Sequence, residues 1–290
     1  MTSELRNRLL FGPLFAGLVT AVIAIDLTSG THYGIAALGV LAVTLGSREY
    51  VRLARSLAPD LRLAPVLVAN LVVVLLPIWS PLANSERPGL TLLGGGDAVA
   101  VVIGLALCWA LLEQMFRRGP DGIFAHVGAT TLGIAYLGIP FLLLHRLGEL
   151  PAGGQLLLVF IAAVKLGDVS AFFGGRTFGR HKMCPTISPG KTWEGFAASF
   201  VGAIGGSYLF AWLPTTWGSE GPFVGWWQPA VWGLVLGPLG VLGDLAESCL
   251  KRAAGAKDSG SSMPGFGGIL DILDALIIAA PAAYLLARIL

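Results

Sequence analysis

The sequence predicts an all-α, polytopic membrane protein. Only 12% of its 290 residues are charged, against roughly 25% in ordinary soluble domains. Apolar residues make up 55% of the chain and fall into nine continuous stretches. A soluble chain this poor in charge could not cover its surface, whereas most of the stretches approach the ~20 residues that cross the hydrocarbon core as a helix. Strands of a membrane barrel would alternate in character every second residue, and these stretches do not.

The first stretch, 9–25, follows Arg6 and Arg8. That pattern also resembles the start of a signal peptide. The run is long, however, no small-residue cleavage pattern follows it, and a second stretch comes almost at once. The second, 33–45, is short. Behind it lies SREYVRLARSLAPDLRL, in which Arg48, Arg52 and Arg55 recur at helical spacing, and this reads as a helix lying in the membrane interface. The third to fifth stretches are 64–79, 98–112 and 127–144. The sixth and seventh, 155–173 and 196–213, flank a polar segment, and the eighth and ninth, 229–245 and 269–290, flank another. The chain is expected to divide near residue 150. Residues 1–150 would hold about five helices, and residues 151–290 the other four with two motif loops.

Charge placement orients the bundle. With the N-terminus inside, fifteen of the nineteen Lys and Arg residues fall on cytoplasmic segments. Arg87, Arg146 and Arg288 fall outside, and Lys165 lies within a span. This is a strong positive-inside bias, and it places the C-terminus outside. A net charge of +2 argues against nucleic acid as a partner. Cys108, Cys184 and Cys249 show no CxxC pairing, which argues against a zinc site or a disulfide framework.

Ionisable residues inside apolar spans are expensive and mark function. Lys165 and Asp168 lie near the cytoplasmic end of the sixth span, Asp244 and Glu247 end the eighth, and Asp271 and Asp274 begin the ninth. All six fall at a similar depth, on the face of the basic loops. The first loop, GDVSAFFGGRTFGRHKMCPTISPGKTWEG, offers Ser188, Lys191 and Thr192 around a rigid proline turn. Thr192 is placed to cap a helix beginning near Trp193, and backbone donors at a helix start beside Lys191 suit a phosphate. The segment is not a Walker loop, because position 185 is Pro and no strand is expected ahead of it. In the second loop Asp244, Glu247 and Lys251 share one helical face, as do Asp271 and Asp274. Arg252, Lys257 and Asp258 lie between the two sets. Clustered carboxylates with phosphate-binding cations point to Mg²⁺ and nucleotide chemistry.

The run S-C-L-K-R-x4-K-D over 248–258, then P-G-x-G-G-x-x-D-x-x-D over 264–274, resembles the signature of phosphatidate cytidylyltransferases. SPGKTWEG and GDVSAFFGGRTFG are similar to that family too. The resemblance implies a Mg²⁺-dependent transfer of CMP from CTP to phosphatidate at the cytoplasmic face of a membrane. A bacterial inner membrane is the expected setting, because no organelle signal is visible. It implies metal roles for Asp244 and Asp271, with Asp274 and Lys257 completing the catalytic set. Nucleotide phosphates would fall to Ser188, Lys191, Thr192, Lys251 and Arg252, and Asp168, Glu247 and Asp258 are secondary candidates. Membrane lipids are expected neighbours, and the sequence leaves room for a homodimer. The chain departs from the pattern at Phe266, where the family commonly has His, and at Ile272, where it commonly has Arg.

Three other readings share these features. A CTP-dependent polyprenol or dolichol kinase would transfer the γ- and not the α-phosphate. An ion transporter would show flux without nucleotide turnover. An inactive relative would do neither. The orientation has its own test. In intact cells, a cysteine introduced at Lys257 is expected to resist membrane-impermeant thiol reagents, and one at Arg87 to react. External labelling at 257 would reverse the topology.

Overall fold

The computed structural model describes residues 17–26, 29, 33–84, 95–212, 221–260, 262 and 267–290. Arg6, Arg8, Arg87, Phe266 and the segment around Gly218 lie outside the described residues, as does the first part of the 9–25 stretch. Where they are described, the expected stretches fall on helices. These are α1 (Gly17–Asp26), α2 (Tyr33–Ala54), α3 (Leu63–Asn84), α4 (Gly95–Arg117), α5 (Ile123–Gly133), α6 (Ile139–Gly148), α7 (Gly153–Phe178), α8 (Trp193–Ala211), α9 (Gln228–Ala253) and α10 (Leu270–Ile289). Among the described residues, six helical segments are long and apolar enough to cross a membrane: Tyr33–Ala54, Val99–Arg117, Ile123–Gly148, Gly153–Phe178, Gln228–Ala253 and Leu270–Ile289. The chain is an α-helical integral membrane protein.

α5 and α6 form one rod through a π-helical turn, Ile134–Gly138, just ahead of Pro140. Proline has no N–H to give to the helical ladder, and a wider turn beside it is one way a helix absorbs the mismatch. Between α7 and α8 the chain makes a small antiparallel ribbon, β1 (Lys182–Cys184) and β2 (Ser188–Thr192). A strand therefore does precede Lys191 and Thr192, contrary to the expectation from sequence, although Pro185 still rules out the Walker pattern.

The basic stretch after residue 46 is not a separate interfacial helix. It continues α2, and its buried face carries Ser47, Glu49, Tyr50, Val51 and Leu53 while Arg48, Arg52 and Arg55 stay exposed. Packing explains the continuation. The Tyr50 hydroxyl donates to Ala129 O at 2.7 Å, and Gly46 lies against Leu137 and Leu270. The second span is thus 22 residues long, which removes the puzzle of its shortness.

Among the described residues, the two larger clusters of the core are joined by α10. Phe160 and Val164 of α7, Ala203 of α8, and Trp232 and Leu236 of α9 pack against Ala275 and Ala279 of α10. Tyr50 and Val66 pack with Leu137 against Leu270, Leu273 and Ile277, on another face of α10. In lipid, helices associate through close packing of small residues, and α8 shows how close. A Cβ on Gly195 would lie 2.6 Å from Ala171 O, and one on Gly206 would lie 2.5 Å from Ala162 O. A Cβ on Gly205 would meet nothing within 4 Å. Gly206→Leu is therefore expected to destabilise the protein by about 1–3 kcal/mol through overpacking, and Gly205→Ala to leave stability unchanged. Thermal unfolding of the two variants in detergent checks the contrast.

Candidate active site

Four elements deliver the expected residues to one end of the bundle: α7, α9, the first turns of α10, and the β1–β2 ribbon. α9 and α10 approach closely because position 243 is glycine. A Cβ there would lie 2.5 Å from Asp274 O. This approach gathers Asp244, Glu247 and Asp274, one ligand oxygen from each lying within 4.8 Å of the others. Glu247 and Asp274 are buried and Asp244 is half-buried.

Asp271 stands apart from that trio. Its Oδ1 meets Lys251 Nζ at 2.6 Å. Its Oδ2 accepts from Ser259 N at 3.1 Å, Ser259 Oγ at 2.7 Å and Gly268 N at 2.7 Å. The structure thus groups Asp244 with Glu247 and Asp274, whereas the sequence paired Asp244 with Asp271. Asp271 is one turn nearer the N-terminus of α10, where free backbone N–H groups and a lysine draw it.

Lysines hold the acids together. Lys251 Nζ also meets Glu247 Oε2 at 2.5 Å, so one ammonium bridges α9 and α10. Lys191 Nζ contacts Asp244 Oδ2 at 2.7 Å and donates to Val241 O at 3.0 Å. Lys165 donates to Ile272 O at 2.8 Å, so the backbone of Ile272 is used even though its side chain is apolar. Asp168, half-buried on α7, has Lys165, Lys191 and Asp244 as charged neighbours. Glu247 Oε1 is buried and has no hydrogen-bond partner among the described residues. A cluster of hard carboxylate oxygens, one of them unsatisfied, fits a divalent cation.

The ribbon is fixed to the bundle at several points. Thr192 caps α8 as its sequence predicted, its Oγ1 accepting from Gly195 N at 3.1 Å. Ser188 pairs with Cys184 across the ribbon. Arg252 Nε donates to Ile187 O at 3.3 Å. Glu194, ahead of the apolar part of α8, contacts the His181 ring at 2.6 Å and accepts from the amides of Arg180 and His181. The His181 hydrogen bond first, then its own backbone amide and those of Arg180 and His181, draw its carboxyl down to about 2. Lys257 and Asp258 are exposed and do not join the carboxylate trio.

Glu49 and Arg52 of α2 were not anticipated. Glu49 is 4% exposed; it accepts from Ile269 N and Leu270 N, both at 3.0 Å, and from the Ser262 hydroxyl, and shares the Ser259 hydroxyl with Asp271. Arg52 donates to Ser259 O. One signal was available: Ala42, Gly46, Glu49, Tyr50 and Leu53 continue a single helical stripe, and Glu49 is the sole acid in it.

Residues 8–290 match the cytidylyltransferase family. Among curated relatives, the chain is 36% identical to the phosphatidate cytidylyltransferase of Brucella abortus biovar 1, over 69% of this chain and 69% of that protein. It is 33% identical to phosphatidate cytidylyltransferase 4, chloroplastic, of Arabidopsis thaliana, over 97% of this chain and 73% of that protein. It is 31% identical to the phosphatidate cytidylyltransferase of Synechocystis sp., over 92% of this chain and 94% of that protein.

Lys251 neutralises two carboxylates at once, and removing it strands both. Lys251→Met is expected to destabilise the protein by roughly 3–5 kcal/mol, as breaking a buried ion pair from one side does. The double change Lys251→Met with Glu247→Gln should recover part of that loss. Thermal unfolding in detergent, without substrate, reads the difference.

Proposed function

Because the chain belongs to the cytidylyltransferase family and is a nucleotidyltransferase, we propose that it transfers CMP from CTP to phosphatidate in a Mg²⁺-dependent reaction. The observation that carries this reading is the site itself. Asp244, Glu247 and Asp274 converge beside Lys191 and Lys251, at the ends of apolar helices, with Lys251 and Asp274 in the two signature runs. A lipid phosphate can reach such a place from the bilayer and a nucleotide from water.

An oxygen of the phosphatidate phosphate attacks the α-phosphorus of CTP. The bond from that phosphorus to the bridging oxygen breaks, and pyrophosphate leaves with the electron pair. A phosphate monoester already carries about −1.5 to −2 at neutral pH, so the attack needs no strong general base. The difficulty is bringing two anions together. Lys191, Lys251, Arg252 and Lys257, with the hydroxyls of Ser188 and Thr192, would bind and orient the triphosphate. Asp244, Glu247 and Asp274 would hold the cation, and Asp271 would fix Lys251 at the edge of the site. Bound magnesium supplies charge neutralisation for the CTP phosphates and for the departing pyrophosphate. Asp168 and Asp258 flank this set.

The proposed setting is a bacterial inner membrane crossed nine times, with the N-terminus and the site cytoplasmic and the C-terminus external. The fifteen cytoplasmic basic residues of that arrangement agree with the depth of the carboxylates. The site belongs to the second half of the chain, 151–290, with the first half as its scaffold.

Purified protein given CTP, Mg²⁺ and phosphatidate should release pyrophosphate and label the lipid from α-phosphate-labelled CTP only. Label arriving from the γ-phosphate would replace this reading with a lipid kinase. Asp244→Asn should cut the rate roughly 100-fold or more while the protein stays folded. Near-normal turnover in that variant would move the cation site elsewhere.

A further inference from the structure

We propose that Glu49 of α2 is a positioning residue for the carboxylate site: it caps α10 from another helix and so fixes where Asp271 and Asp274 stand. The residue at the α10 N-cap position, Ile269, has no side chain able to accept a hydrogen bond, and α10 has no side-chain cap of its own. Glu49 fills that role. Its Oε1 accepts from Ile269 N and its Oε2 from Leu270 N, two donors that an uncapped helix start leaves unsatisfied. A carboxylate at a helix N-terminus is also favoured by the helix dipole. Asp271 and Asp274 follow within the first turns of the same helix, so the helix start sets their position.

The carboxylate holds the other side of the turn as well. Ser262 donates its hydroxyl to it, and Ser259 Oγ lies 3.2 Å from its Oε2. The Ser259 hydroxyl also lies 2.7 Å from Asp271 Oδ2, which links Glu49 to Asp271 through one side chain. Two glycines make the space. A Cβ on Gly260 would lie 2.6 Å from Glu49 Cδ, and one on Gly268 would crowd Ser259 Oγ and Glu49 Oε2. Arg52, one helical turn on, donates to Ser259 O. The hydrogen bonds of Glu49 go to the start of α10 and to the serines ahead of it, so its effect is exerted through α10 and Ser259.

The inference rests on the proposed cation site, and its test separates the two. Amide exchange is measured on the peptide spanning 267–275, and Mn²⁺ binding by electron paramagnetic resonance, in wild type, Glu49→Ala, Glu49→Gln and Glu113→Ala. Glu113 is a shielded, ion-paired carboxylate on α4 and controls for general loss of stability. Glu49→Ala is expected to speed exchange at the start of α10, to weaken Mn²⁺ binding about tenfold or more, and to raise the Mg²⁺ concentration needed for half-maximal pyrophosphate release in proportion. Glu49→Gln keeps one carbonyl acceptor and should recover part of each. Glu113→Ala should shift the melting temperature alone. Unchanged exchange and Mn²⁺ affinity in a folded Glu49→Ala would overturn the proposal, as would the same Mn²⁺ loss in Glu113→Ala. A wild type that binds Mn²⁺ but turns over no CTP would refute the proposed function and leave the assignment of Glu49 standing on its own data.

Discussion

Four carboxylates, Asp244, Glu247, Asp271 and Asp274, are drawn together at the ends of two helices whose other turns are built for lipid. Like charges in a poorly solvated place repel and lose hydration, and the arrangement stands because cations are interleaved with them. Lys251 lies between Glu247 and Asp271, and Lys191 reaches Asp244 from the ribbon. The Lys251–Asp271 and Lys191–Asp244 contacts cross from one element to another, so they act as fasteners as well as counterions. The ribbon adds a backbone tie through Lys191 to Val241 and another through Arg252 to Ile187. An arriving triphosphate would meet lysines already aimed at the carboxylates and would share them.

Charge balance alone does not bring the helices close enough. The backbone must permit it, and small residues do so. α8 presents Gly195 and Gly206 to carbonyls of α7, and Gly243 lets α9 approach Asp274. In a bilayer no hydrophobic effect drives helices together, so this close contact is a large share of what holds the acids in place. The membrane-spanning architecture and the polar site therefore depend on the same few glycines.

Much of this was legible in the sequence. Continuous apolar stretches gave each helix, because helical periodicity in lipid needs no polar face. The Thr192 cap was legible too, since a threonine ahead of an apolar run with Glu194 in the first turn is a local signal. What escaped was either short or distant. The β1–β2 ribbon consists of strands of three and five residues, too short for alternation to declare itself. The extension of α2 was hidden by arginines that stay exposed on one face while Tyr50 and Leu53 are buried on the other. Membership of the carboxylate trio depended on a rotation of α10 that places Asp274 toward α9 and turns Asp271 toward Lys251. Spacing on one helix cannot reveal that.

The same hidden feature changes how the two halves of the chain relate. Read from sequence, the first 150 residues are scaffold and the chemistry lies beyond them. Yet Glu49, 4% exposed, and Arg52 reach across roughly 200 residues of chain to the segment that carries the signature. A buried carboxylate is costly unless it is well hydrogen-bonded, and Glu49 accepts from two backbone amides and the Ser262 hydroxyl, with the Ser259 hydroxyl shared between it and Asp271. That degree of satisfaction exceeds what simple tolerance of a stray acid in an apolar helix would require. It also makes α10 the hinge between the halves: one of its faces packs on α2 and α5–α6, another on α7 and α9, and its start is capped from α2. A change in the tilt of α2 would therefore move the first turns of α10 and the aspartates on them. The division into scaffold and catalytic region describes the order of the chain better than it describes the forces that hold the site.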